Sequence, residues 1–317
     1  MNIATFLIAG ILNICSTMEM DLEKVDSAMQ KQNRSVIVIA VYMVTYNHEN
    51  CISQAIERVI NQKTKYSFKL FIGEDCSTDA TKEICLSYQK AYPELIEVIS
   101  TTTNNLKQNV NNIFDKCFNS SAKYIAMCEG DDYWTDENKL QRQVDFLEAN
   151  PDYSICFSGY EILNEFNNTR STHTLTQHSI DIETMIAGNS YSTATVVFKA
   201  EFFKPVPSWF SEMVFGDWSL YLAVMHASKK KAYCLNDITA VYRIHAGGIH
   251  GSSHASTEKL VKAYKQHIDF YRAIKENLFK TSYSELIDNC IKERKKIIAE
   301  LLKKDKRIVA AALSKFY

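Results

Sequence analysis

Glycine and proline are scarce in this chain, 9 and 4 in 317 residues. So few turn formers argue against a sandwich or barrel built from many tightly turned strands. No two cysteines stand at C-x-x-C spacing, and their number, nine, is odd. Zinc-ribbon and disulfide-framework readings therefore drop out. Scattered single thiols suit a reducing compartment, where cysteine behaves as a small buried hydrophobe, so the expected location is the cytoplasm. Charge of one sign is not in excess either: 36 Lys+Arg face 37 Asp+Glu. A chain-wide nucleic-acid binder would be basic, and no nucleic-acid partner is expected. A long apolar run is also missing. Ile3 to Cys15 is about thirteen positions, short of the roughly 20 needed to span a bilayer, and no Lys or Arg precedes it as a signal peptide would require. Residues 1–34 are expected to lie outside the fold, with Met18, Met20 and Met29 as alternative starts.

What is present is ordinary globular material, 46% hydrophobic and 23% charged, enough for a substantial core. From Ser35 strands and helices alternate. Val36–Tyr46 is a β-branched and aromatic run of the kind buried on both faces, and Asn50–Gln62 repeats its apolar residues with a helical period. Strands are predicted at 68–73, 95–100 and 124–128, with helices at 79–92, 110–119 and 136–150. Further strands fall at 153–158, 194–198 and 238–244, and a helix at 218–227. Residues 161–192, polar and rich in His and Thr, read as a long loop over the site. From about Ser256 the pattern is helical. This order predicts an α/β fold, an open, mainly parallel sheet flanked by helices, with a C-terminal helical extension. The divisions expected are one domain at 35–250, its two halves meeting near residue 135, and a helical appendix at 251–317.

Ligands of open parallel sheets bind at the carboxyl ends of the strands. Two such ends carry Glu74, Asp75, Asp131 and Asp132 to one rim. Neighbouring carboxylates repel unless a cation neutralises them, and a hard divalent ion, Mn²⁺ or Mg²⁺, suits Asp131 and Asp132. Such ions bind together with substrate phosphates. The sequence has no G-x-x-x-x-G-K-[ST] loop and no G-x-S-x-G elbow, and the turn after the first strand contains no glycine. A nucleotide held by side chains and a metal ion survives these exclusions. For Asp79 a helix-capping role is preferred.

The segments M-V-T-Y-N-H-E (43–49), I-G-E-D-C-S-T-D (72–79) and E-G-D-D-Y-W (129–134) carry a resemblance. Together they resemble family 2 glycosyltransferases of the GT-A fold, from about Ser35 to His250. The resemblance implies that Thr45 and Tyr46 lie against the nucleotide, and that Glu74 or Asp75 binds its base or ribose. Asp131 would meet the ribose or the metal, and Asp132 the metal. Glu129 departs from the family's first D-x-D position. Asp217, just ahead of an amphipathic helix, would be the general base that takes the acceptor hydroxyl's proton, its competing role being a helix cap. Arg243 would pair with the diphosphate, His245 would bind phosphate or metal, and Gly247 with Gly248 would hinge a loop. The implied activity is metal-dependent inverting transfer from a nucleotide-diphosphate sugar, first of all a UDP-sugar, to a glycan or lipid-linked acceptor in surface polysaccharide or glycoconjugate synthesis. The alternatives are a silent sugar-nucleotide- or glycan-binding module and a metal-dependent phosphoesterase.

Residues 291–317 hold nine Lys or Arg against three acids, a net +6. Their apolar stripe fits a helix packed on the domain. The same charge suits peripheral contact with the anionic inner face of a membrane.

Overall fold

The computed structural model describes residues 38–174, 177–246, 248 and 256–313, with side-chain surroundings as far as Lys304. Residues 1–34, Gly247, His250 and His254 lie outside that set. The chain opens with β1 (Ile39–Thr45), α1 (Ile52–Ile60), β2 (Phe68–Glu74), α2 (Thr81–Ala91), β3 (Ile96–Ser100), α3 (Leu106–Asn119) and β4 (Tyr124–Met127). β5 (Tyr133–Trp134), α4 (Lys139–Ala149), β6 (Tyr153–Asn164), β7 (Thr169–His173), β8 (Ser179–Ile180) and α5 (Ile182–Ala187) follow. The last elements are β9 (Val197–Lys199), α6 (Gly216–Ser228), β10 (Lys231–Ile244), α7 (Thr257–Ile274) and α8 (Ser284–Leu313).

The ten strands of the described residues join one sheet in the order β3-β2-β1-β4-β9-β6-β10-β5, with β7 paired to β6 and β8 to β10. The β3-β2-β1-β4 half is parallel throughout, and β10 runs parallel to β6. β9 is antiparallel to both its neighbours. The apolar character of β1 follows from cover on both faces. Ile39, Val41 and Met43 enter one core with Ile52, Ala55, Ile56 and Val59 of α1 and Leu140, Val144 and Leu147 of α4. Ala40 and Tyr42 enter the other with Phe114 and Phe118 of α3. That second core continues through Trp218 and Tyr221 of α6 to Phe270 and Tyr271 of α7 and Ile287 of α8, so the C-terminal helices share their core with the sheet. No helix among the described residues is long and apolar enough to cross a membrane.

Two local differences from the sequence pattern have physical causes. α3 begins at Leu106, four residues before the predicted start at Val110, because the Asn105 side chain accepts the amide of Gln108 and caps the extra turn. The segment predicted as a long loop, 161–192, is largely ordered as secondary structure. β6 continues to Asn164, turns into β7 and is followed by β8 and α5. β7 is exposed over most of its length. A solvated edge ribbon buries no apolar stripe, so its Thr-Arg-Ser-Thr-His composition reads as loop.

Candidate active site

The carboxyl end of β1 hands over to a short turn, and two features of that turn fix its shape. Asn47 has a positive φ of 55°, and its side-chain oxygen accepts the amide of Thr78 at 2.8 Å. Its own amide donates to Ser77 Oγ, while His48 N donates to Thr81 Oγ1 and Glu49 N to Asp79 Oδ2. The turns after β1 and β2 are thus laced into one surface. Asp79 is part of that lacing and accepts from Thr81, but it is not the cap expected from sequence: the cap position of α2 is Ala80, with no side-chain capping bond.

Below this surface the acids after β2 are buried. Glu74 accepts Ser77 N at 2.6 Å through Oε1, and its buried Oε2 has no hydrogen-bond partner. Asp75 accepts Thr101 Oγ1, the Asn104 amide and Asn105 N at 2.8–3.2 Å. Both its oxygens hold the segment that leads into α3. Thr45 is buried too, its hydroxyl 3.1 Å from His48 Nδ1, whereas the Tyr46 ring is 40% exposed.

The E-G-D-D turn after β4 presses against Thr45. A Cβ at Gly130 would stand 2.6 Å from Thr45 Oγ1, which explains the glycine. Asp131 is the corner of the site. Its Oδ2 lies 3.0 Å from His245 Nε2 and 3.9 Å from His48 Nε2. Asp132 is buried against β10, where Oδ1 accepts Arg243 N at 2.9 Å and the buried Oδ2 has no partner. Potential ligand atoms of Glu129, Asp131 and Asp132 lie within 4.8 Å of one another, as do those of His48, Asp131 and His245.

The electrostatics follow from this crowding. Burial, then the charges of Asp131 and Asp217, push the Glu129 carboxyl up to about 8. Burial, then Asp131 and Glu129, hold Asp132 well above the ordinary carboxylate range. Burial also raises Asp131, but the His245 hydrogen bond and the nearby His48 outweigh it, so Asp131 stays ionised to lower pH. The Asp131 hydrogen bond raises His245, and burial lowers His48. A site with three acids, one orphaned buried carboxylate oxygen and two imidazoles fits a divalent cation.

Asp217 stands in the first turn of α6, and the cap position is Phe215, with no side-chain capping bond. The capping alternative therefore fails. Asn189 donates to Asp217 Oδ2 at 2.9 Å, and the Asp217 charge is near enough to contribute to raising the buried Glu129 carboxyl. Arg243 is held by the protein itself: Nη1 donates to Glu165 at 2.8 Å, Nη2 donates to Gln54, and the guanidinium lies 4.9 Å from the Tyr133 ring.

Residues 40–204, just over half of the chain, match the profile described as glycosyl transferase family 2. The chain belongs to that family. Rv1520, an uncharacterized protein of Mycobacterium tuberculosis, is 30% identical over 225 residues, covering 70% of this chain and 63% of its own length. The chain thus spans less than two thirds of the curated relatives it matches first. Among solved structures, Staphylococcus aureus TarS in complex with UDP-GlcNAc superimposes with a TM-score of 0.55 at 17% identity, covering 83% of this chain and 71% of that one. The Pyrobaculum calidifontis mannosyltransferase PcManGT, in complex with GDP-Man and Mn²⁺, gives 0.55 at 14% identity, with 88% and 81% covered. At such identities the likeness is one of fold, the GT-A architecture.

Within this family 2 chain, the structure gathers most of the residues expected from sequence. Asp131, Asp132 and His245 meet at one corner and the Arg243 amide joins it on Asp132, while Asp217 acts on the corner's Glu129 through its charge; Thr45, Glu74 and Asp75 are buried and Tyr46 is exposed. Four participants were missed: His48, Asn189, and Gln54 with Glu165, which hold Arg243. His48 had a signal, since it follows a strand end as His245 does. The others lie far in sequence from the side chains they serve, and no local pattern points to them.

Proposed function

We propose that this chain is a metal-dependent inverting glycosyltransferase that moves a sugar from a nucleotide-diphosphate donor to a hydroxyl of a glycan or lipid-linked acceptor. What supports this reading is that Asp217 enters the first turn of α6 without a side-chain capping bond and that its charge acts on Glu129 of the acid corner. A solitary cation site needs no such carboxylate, whereas acceptor activation does.

In this reading Asp217 takes the acceptor hydroxyl's proton as that oxygen bonds to the anomeric carbon and the bond to the diphosphate breaks. Asn189 holds the carboxylate's rotamer through its hydrogen bond. Asp131, Asp132 and His245 would hold Mn²⁺ or Mg²⁺, which when bound supplies positive charge for the departing diphosphate. Tyr46 offers an exposed ring to the base, and Thr45, Glu74 and Asp75 secure the turns beneath it. Arg243, carried on β10 against Asp132, adds a cation beside the phosphates. The donor proposed first is a UDP-sugar, and the setting is surface polysaccharide or glycoconjugate synthesis at the cytoplasmic face of a membrane. The exposed lysines of α8 would make peripheral contact with that face.

A donor panel tests the reading by measuring release of UDP, GDP or TDP with Mn²⁺, with and without acceptor. Release that depends on acceptor supports transfer. Equal release without acceptor points to a phosphoesterase, and binding with no release to a silent module. In Asp217→Asn, donor binding should persist while turnover falls about 10²–10⁴-fold.

A further inference from the structure

Two imidazoles face one carboxylate oxygen at the rim, and only one of them is close enough to hydrogen-bond to it. His245 Nε2 lies 3.0 Å from Asp131 Oδ2, and His48 Nε2 lies 3.9 Å from that same atom. The two rings meet edge to face with centroids 6.0 Å apart. Little freedom remains for His48. Its Nδ1 is tied to Thr45 Oγ1 at 3.1 Å, its amide donates to Thr81 Oγ1 at 2.7 Å, and its carbonyl accepts the amides of Cys51 and Ile52 where α1 begins. Thr45 is itself pinned beneath Gly130. A hydroxyl on one imidazole nitrogen is the arrangement that orients a metal-binding histidine and leaves its other nitrogen as the donor. Nε2 is that other nitrogen, and it points at Asp131.

We infer that His48 is a protein ligand of the divalent cation, completing with Asp131 and His245 a nitrogen–oxygen–nitrogen set. The inference rests on the metal-dependent reading above and specifies the cation that reading leaves open. Ligands sharing one first-row ion at bond lengths of about 2.1 Å lie about 3–4 Å apart; both imidazole nitrogens stand in that range from Asp131 Oδ2, and the ligand atoms of the three residues lie within 4.8 Å of one another. A second observation points the same way. Asp132 Oδ2, 2% exposed with its residue and without a partner, belongs to the acid group that shares Asp131. The chemical consequence is selectivity. Mg²⁺ prefers an all-oxygen shell, whereas imidazole donors favour first-row transition ions, so this set takes Mn²⁺ or Co²⁺ in preference to Mg²⁺.

The test is Mn²⁺ electron paramagnetic resonance on the full chain, with Mn²⁺ alone and with Mn²⁺ plus UDP. Nitrogen couplings in the pulsed spectrum count bound imidazoles without any substitution, and two are expected in wild type. His48→Ala should leave one coupling and weaken Mn²⁺ binding about tenfold or more, and Mg²⁺ should compete poorly in wild type. Wild type with a single coupling, or His48→Ala binding as tightly as wild type, overturns the inference while the metal-dependent reading stands. Wild type that binds no Mn²⁺ in either condition overturns both.

Discussion

At the scale of single residues the site is defined by how little room it leaves. Gly130 packs against Thr45 and Ile52 so closely that an added methyl must displace one of them. Gly130→Ala should lower stability by about 1–3 kcal/mol and weaken Mn²⁺ binding through the displaced Thr45–His48 pair, as thermal unfolding and metal titration would show. Lys139 is the other confined residue. It is fully buried, donates to Gln143 Oε1 at 2.6 Å, and sits 4.6 Å from the Trp134 ring. Burial brings its ammonium down to about 7. Because the folded value lies below the unfolded one, the unfolded chain binds the extra proton between about pH 7 and 10.5, and stability contributed by this group rises with pH across that window. Urea unfolding at pH 7 and 9 should show wild type gaining on the order of 2 kcal/mol relative to Lys139→Met. An equal response in both proteins would mean that Lys139 does not titrate there.

At the scale of elements, the parallel half of the sheet was legible because each strand carried its own signal. β1, β2 and β4 are apolar on both faces and end in polar turns, so their boundaries and the acids after them could be read locally. β7 and the first half of β10 were not legible. Their exposed faces carry no run, and their pairing is set by β6. The same contrast divides the site. Asp131, Asp132, Asp217 and His245 follow from position along the chain, whereas the work of Asp75 emerges only from contacts with Thr101, Asn104 and Asn105. That carboxylate joins the end of β2 to the start of α3. Asp75→Ala should therefore cost on the order of 1–3 kcal/mol of stability, because it strands the buried Thr101 hydroxyl and frees two partly buried amide donors. Chemical denaturation checks this, with Asp75→Asn expected to fall between wild type and Ala.

At the scale of the whole molecule, α8 has two parts. Its first turns belong to the core through Ile287 and Cys290, and Arg294 donates to the Ala187 carbonyl at 3.1 Å beside the Tyr271 ring. Farther along, Lys295, Lys296, Lys303 and Lys304 are exposed. A truncation that removed the whole basic segment would damage the core, so charge removal is the cleaner probe of membrane contact. Changing those four lysines to Gln should leave the melting temperature unaltered and weaken co-sedimentation with anionic vesicles, by about 1 kcal/mol for each lysine that reaches the surface. Unchanged co-sedimentation would remove the membrane contact.

The closing strand has a consequence for how the protein is made. β10 lies between β6 and β5, both much earlier in the chain, and its residues reach the acid corner across separations of 111 and 114 positions. During synthesis the acid corner leaves the ribosome long before Arg243 and His245 do. The rim can therefore be completed only after β10 has been made, and a chain that stops short of it lacks both the Arg243 amide on Asp132 and the His245 ring on Asp131.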